Sequence, residues 1–162
     1  MNKSTATRRF RTSKPGCGHR GTTNIKLVTV EQRRSSQFAA RVQSEHDVAT
    51  IARRLLASKD REHFVVFHLD GINRVTSFET AFIGSLTQCT VHPREVFKAA
   101  ILANARSIIC VHNHPSGDTT PSGADRAVFD TLHKAGQHLG IQLLDFLVVS
   151  KESHWAARGD WF

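Results

Sequence analysis

A chain of 162 residues, 40% of them hydrophobic, is long enough for one domain with a proper core and short for two of ordinary size. Its net charge of +8 is concentrated at one end: residues 1–34 hold nine Lys and Arg against Glu31, whereas residues 35–162 carry 13 basic and 13 acidic residues and balance. No run approaches membrane-spanning length and no apolar leader is visible, which argues against a membrane or secreted protein and makes the cytoplasm the expected compartment. Cys17, Cys89 and Cys110 are odd in number and widely spaced, unlike a disulfide framework.

In chain order, residues 1–34 are rich in Arg, Lys, Ser, Thr and Gly without sustained apolar periodicity, so a disordered tail is expected there and a folded domain over residues 35–162. Two readings of the tail stand side by side: a nucleic-acid arm acting through counterion release, or a solvated extension. Within it, Cys17-x-His19 reads as incidental, and Ile25-x-Leu27-Val28-x-Val30 reads as a short edge strand or an arm for a partner. From Ser44 a helix is well signalled, with Ser44-x-x-Asp47 as a capping box and Val48, Ile51, Ala52, Leu55 and Leu56 as an apolar stripe that packs on a sheet. His63 to Leu69 reads as a strand, Asp70 to Asn73 as a hairpin turn and Arg74 to Ile83 as the returning strand. Gly84 to Val91 reads as a loop. Pro93 opens a second helix to Asn104, with Val96, Phe97, Ala100 and Ile101 inward and Arg94 and Glu95 as surface charges.

The stretch from Ser107 carries the chemistry. Ile108, Ile109 and Val111 mark a buried strand, whose period of two sends His112 and His114 to one side. Pro115 ends the strand just after the second histidine, and Ser116-Gly117-Asp118 and Pro121 have loop chemistry. Ser122-x-x-Asp125 then opens a helix, Ser122 to His138, with Ala124, Val128, Leu132, Ala135 and Leu139 at helical spacing and Gly140 closing it. A helix that starts beside the strand end brings Asp125 to the histidines. Two imidazoles and one carboxylate leave the fourth position of a zinc ion open for water, the catalytic and not the closed structural arrangement. Taken singly, a strand-end His-x-His and a Ser-x-x-Asp cap are ordinary; their succession is not. The donor set suits zinc and would also accept iron, cobalt or nickel. Cys110 shares the histidines' face, but three ligands spread over five extended residues, ~13 Å, do not converge on one ion, so a core thiol is expected. A last strand, Ile141 to Val149, follows, and Trp155, Trp161 and Phe162 would cap the core or an interface.

His112-x-His114-Pro115, the short loop and Ser122-x-x-Asp125 together resemble the JAMM signature of the JAB/MPN metallopeptidase fold. With His92-Pro93-Arg94-Glu95-Val96, Asn104-Ala105, Leu143-Leu144-Asp145 and Arg158-Gly159, the chain from about Ser44 to Phe162 is similar to the RadC family. Full-length members carry a helix-hairpin-helix domain ahead of the JAMM domain, and the chain resembles a short form without it. One departure is visible: the family usually has Asp-His where Asp145-Phe146 stands. The resemblance implies an α/β (α+β) fold, a mixed sheet flanked by helices in the MPN/JAB, cytidine-deaminase-like architecture. The predicted order α, β, β, α, β, α, β suits it.

The resemblance also implies a mechanism. Zinc held by His112, His114 and Asp125 would lower the pKa of its water from 15.7 towards ~7. In JAMM proteins a glutamate at the start of the first strand accepts a hydrogen bond from that water, and matching Arg61-Glu62-His63-Phe64 to the family pattern assigns this acid-base role to Glu62. Without the resemblance, Glu79 and Glu95 are rival carboxylates. Ser122 is open to two roles, donor to a tetrahedral oxyanion or simple N-cap. The activity implied is hydrolysis of a peptide or isopeptide amide. A second reading is a DNA-associated, RadC-like module of DNA-repair or mobile-element type, its basic tail binding nucleic acid and its metal site idle. A nuclease fits less well: His112-Asn113-His114 is not the dispersed HNH motif, and Ser116 stands where a metallo-β-lactamase-type site needs Asp.

Overall fold

A computed structural model describes residues 41–56, 58–84 and 91–158. The basic tail, the expected edge strand at residues 23–30, Cys17, His19, Cys89, nearly all of the 84–91 loop, Trp161 and Phe162 lie outside the described residues. The elements in chain order are α1 (Glu45–Leu56), β1 (His63–Leu69), β2 (Val75–Ile83), α2 (Pro93–Leu102), β3 (Ser107–Asn113), α3 (Gly123–Leu139), β4 (Gln142–Val149) and β5 (His154–Ala156). The strands form one mixed sheet in the order β2-β1-β3-β4-β5, antiparallel throughout except for the parallel β3–β4 pair that α3 connects. This is the expected α+β fold.

The central strands β1 and β3 are buried on both faces, so their middles, Phe64 to Phe67 and Ile108 to Val111, read as apolar runs and not as alternating ones. On one face, Val65, Phe67, Ile109, Val111 and Leu147 pack with Val48, Ile51, Ala52 and Leu56 of α1. On the other, Phe64, Val66, Ile108, Cys110, Phe146 and Val148 pack with Val96, Phe97 and Ala100 of α2 and Leu132 of α3. Cys110 is thus the core thiol expected of it, its ionisation opposed first by burial and then by the Glu79 charge. α3 approaches closely at Gly136, where an added Cβ would stand 2.5 Å from the Ile141 carbonyl. Gly140, at φ 69°, ends that helix in the left-handed region.

Local chemistry explains most boundaries. The Asp47 N–H donates to Ser44 Oγ and the Ser44 N–H to Asp47 Oδ2, the predicted reciprocal cap of α1. In the hairpin turn, Asp70 Oδ1 accepts from the Ile72 and Arg74 N–H groups. Three expectations need correction. Ile101 is 53% exposed because it lies at the edge of the stripe that Val96, Phe97 and Ala100 centre, and α2 ends at Leu102, short of Asn104, which adopts φ 51°. A fifth strand, β5, pairs with β4; Trp155 lies on it, packed against the α2/α3 core with Arg126 stacked 5.8 Å from its ring centroid.

Candidate metal centre

β3, the loop after it and the first turn of α3 meet at one edge of the sheet. His112 occupies the penultimate position of β3, opposite Phe64 of β1 and Val148 of β4. The chain keeps its β4 pairing for one more residue, the His114 N–H donating to the Val149 carbonyl at 2.9 Å, and then turns, with the Gly117 N–H closing on the His114 carbonyl. Because α3 is the crossover to a parallel strand, it starts at the end of the sheet where β3 stops, and Asp125 in its first turn comes to the two histidines.

The three side chains converge. The Nε2 atoms of His112 and His114 are 3.0 Å apart. His112 Nε2 lies 3.2 Å from Asp125 Oδ1, and His114 Nε2 lies 3.9 Å from Asp125 Oδ2. A tetrahedral ion with bonds of ~2.0–2.1 Å spaces its ligand atoms ~3.3 Å apart; the 3.0 and 3.2 Å separations match this, and His114 Nε2 lies farther, from the other carboxylate oxygen. Among the described residues this is the group of three or more metal-ligating side chains whose atoms lie within such reach, 4.8 Å.

The surroundings hold each ligand differently. Asp125 is buried, and burial alone would raise its pKa; hydrogen bonding to His112 and Ser122 outweighs this and holds the carboxyl well below its usual range. Its Oδ2 accepts from both the Ser122 N–H and the Ser122 hydroxyl at 2.7 Å, which leaves Oδ1 turned to His112. The same hydroxyl accepts from the Asp125 N–H, completing a capping box at a helix N-terminus, where a carboxylate is favoured. Ser122 therefore serves as N-cap here, with its proton directed to Asp125. His114 Nδ1 lies 2.6 Å from the Asp118 carbonyl, the contact that orients a ligating imidazole and leaves Nε2 free for an ion. Among the described residues His112 has no such partner: its buried Nδ1 makes no hydrogen bond to them, and its ring lies among Phe64 and Phe146, with centroids 6.3 and 5.4 Å away.

The three rival carboxylates occupy different places. Glu62 directly precedes β1, two residues before Phe64, which pairs with His112 at the last paired position of the β1–β3 ladder. Glu79 pairs with Val66 and lies beside His68, two strands across and two residues along from His112, ~12 Å by sheet spacing. Glu95 is on the surface of α2, paired with Arg94 and Lys98. A cleft of about 700 Å³ meets the group at His114; its other walls include Arg53 and Leu56 of α1, Lys59, Asn113 and Lys151, and neither His112 nor Asp125 lines it.

The RadC-like JAB domain model matches residues 42–160. The chain belongs to the RadC family. A UPF0758 protein of Chlorobaculum parvum is 40% identical over 152 residues, 91% of this chain and 65% of that protein. One of Shouchella clausii is 43% identical over 125 residues, 77% and 54% of the two chains, and one of Bacillus licheniformis is 52% identical over 92 residues, 57% and 41%. The chain thus spans two thirds or less of these relatives' lengths. For a RadC-family domain, a largely buried His-His-Asp group is compatible with a JAMM-type metal hydrolase, and among the described residues no helix is long and apolar enough to cross a membrane.

Proposed function

We propose that this RadC-family chain is a zinc-dependent hydrolase of JAMM type that cleaves a peptide or isopeptide amide. The observation that carries the reading is the convergence of His112 Nε2, His114 Nε2 and the Asp125 carboxylate, with neighbouring ligand atoms 3.0 to 3.9 Å apart. A zinc ion bound there supplies a water acidic enough to act as a nucleophile near neutral pH. Asp125 contributes an ionised oxygen and the two histidines neutral nitrogens, with the Asp118 carbonyl fixing which nitrogen of His114 is free. Glu62, directly ahead of β1, takes the proton released at the nucleophile and returns it to the leaving amine. Ser122 orients Asp125, and its hydroxyl proton can turn from Oδ2 to the developing oxyanion once Asp125 has given its charge to an ion.

The experiment is metal content by plasma mass spectrometry on purified protein and on His112→Ala and Asp125→Ala variants shown to be folded. One zinc per chain, lost in both variants, followed by chelator-sensitive cleavage of peptide or isopeptide substrates, is the expected result. No metal uptake at neutral pH in added zinc would overturn it. A second reading rests on charge: the +8 carried by residues 1–34 suits a DNA-binding arm on a module whose metal site is idle. Retention on DNA that falls steeply with salt and disappears when residues 1–34 are deleted supports that reading, and salt-independent or absent binding rejects it.

A further inference from the structure

Metal binding by His112 and His114 makes no demand on the residue between them. Asn113 is nonetheless buried, 5% exposed, and strand alternation turns its side chain to the face opposite the two imidazoles. Its amide reaches the segment that enters β1: Oδ1 accepts from the His63 N–H at 2.8 Å, and Nδ2 donates to the Arg61 carbonyl at 3.0 Å. These two bonds bracket Glu62. The Glu62 carbonyl is held separately, accepting from the Gly84 N–H at 2.8 Å. The main chain is therefore pinned immediately before, at and immediately after Glu62, and two of the three bonds come from one side chain. Reading one carbonyl and one N–H from a single short side chain calls for an amide, since a carboxylate lacks the donor and an ammonium the acceptor.

We propose that Asn113 is the positioning residue for Glu62: its amide fixes the main chain on both sides of that carboxylate. The assignment rests on the reading of Glu62 as the acid-base residue of a zinc hydrolase. It gives the middle residue of His112-Asn113-His114 a role tied to the proton acceptor and not to the metal. One dipeptide step of β3 then sets both halves of the centre, ligands on one face and the anchor of the base on the other.

The test uses the zinc-loaded full chain and acetohydroxamic acid, which chelates zinc through two oxygens and offers a proton to a neighbouring carboxylate. Its affinity is measured by calorimetry in the wild type, Glu62→Gln, Asn113→Ala and the double variant, with zinc content and melting temperature recorded for each. All four should hold one zinc. Glu62→Gln should weaken acetohydroxamate roughly tenfold, Asn113→Ala nearly as much, and the double variant no more than Glu62→Gln alone. A merely structural asparagine would lower the melting temperature without cancelling in the double variant. If the two losses multiply, or if Asn113→Ala binds like the wild type while Glu62→Gln does not, Asn113 loses its role and Glu62 keeps its own. Wild-type affinity in Glu62→Gln, or a chain that takes up no zinc, overturns both together. Should Asn113→Ala not fold, Asn113→Asp keeps the acceptor for His63 and loses only the donor to Arg61, and the same cycle is read on it.

Discussion

His112 and His68 lie on the same face of the sheet, on adjacent strands, both buried and each with a carboxylate oxygen within 3.9 Å. Their surroundings have driven them apart. Around Asp125, burial is outweighed by the hydrogen bond with His112 and by the Ser122 hydroxyl and N–H, which together stabilise the ionised carboxyl. Around Glu79, burial dominates, only partly offset by the Lys98 charge, and pushes its pKa up, while burial pushes His68 down to about 4. Ser77 Oγ lies 2.9 Å from His68 Nδ1, but His68 Nε2 and Glu79 Oε1 face each other at 3.9 Å without a hydrogen bond. A buried histidine beside a carboxylate is thus not enough to make a charged site; donors to the carboxylate decide whether it keeps its charge or is driven towards its neutral form.

The largest expected effect breaks the comparison at its functional end. Asp125→Ala should weaken zinc binding roughly 1,000-fold, about 4 kcal/mol, if the ~10–16 kcal/mol of a zinc site is shared among three or four ligands. Glu79→Ala should leave the affinity unchanged; competition with a chelating dye reads both. The next effect concerns His68. Its folded pKa of about 4 lies below the ordinary 6.5, so the unfolded chain takes up the proton first as the pH falls. Its contribution is complete above about pH 6.5 and is lost towards pH 4, by up to about 3 kcal/mol. Urea unfolding at several pH values should show this slope, and His68→Gln should flatten it.

Two smaller effects sharpen the contrast. Phe146→His puts an imidazole where the aromatic ring now lies 5.4 Å from His112, whose Nδ1 lacks an acceptor. Zinc affinity should rise, by about tenfold if the new ring supplies the missing partner, as the same dye competition would report. Glu79→Gln should stabilise the fold at pH 7 by less than about 1 kcal/mol, because a carboxyl with a raised pKa favours the folded state less as the pH rises above its ordinary 4.5. Thermal unfolding of the variant beside the wild type at pH 7 and pH 4 checks the sign: the gain should shrink at the lower pH.

Much of this was legible in residue order because the signals are local. Ser44 with Asp47 and Ser122 with Asp125 form the predicted reciprocal caps, β1 runs from His63 to Leu69 as read, and Gly140 ends α3. β5 escaped because three residues carry too little pattern; it exists through its pairing with β4. Ile101 misled because an apolar residue at the border of a helical stripe can fall on either side of the contact.

Sequence alone determined the kind of site: two imidazoles two residues apart at a strand end, then a capped carboxylate opening a helix, a spacing that depends only on the periods of strand and helix. The tertiary structure decided which partners those side chains acquire. Antiparallel pairing of β1 with β3 sets Phe64 across from His112, keeps Glu79 on the far strand, and brings the Asn113 amide onto the main chain at Arg61 and His63. Phe146 takes its place beside His112 only through the parallel β3–β4 register. Residues some fifty positions apart become neighbours through sheet pairing, and no local period records which strands will pair.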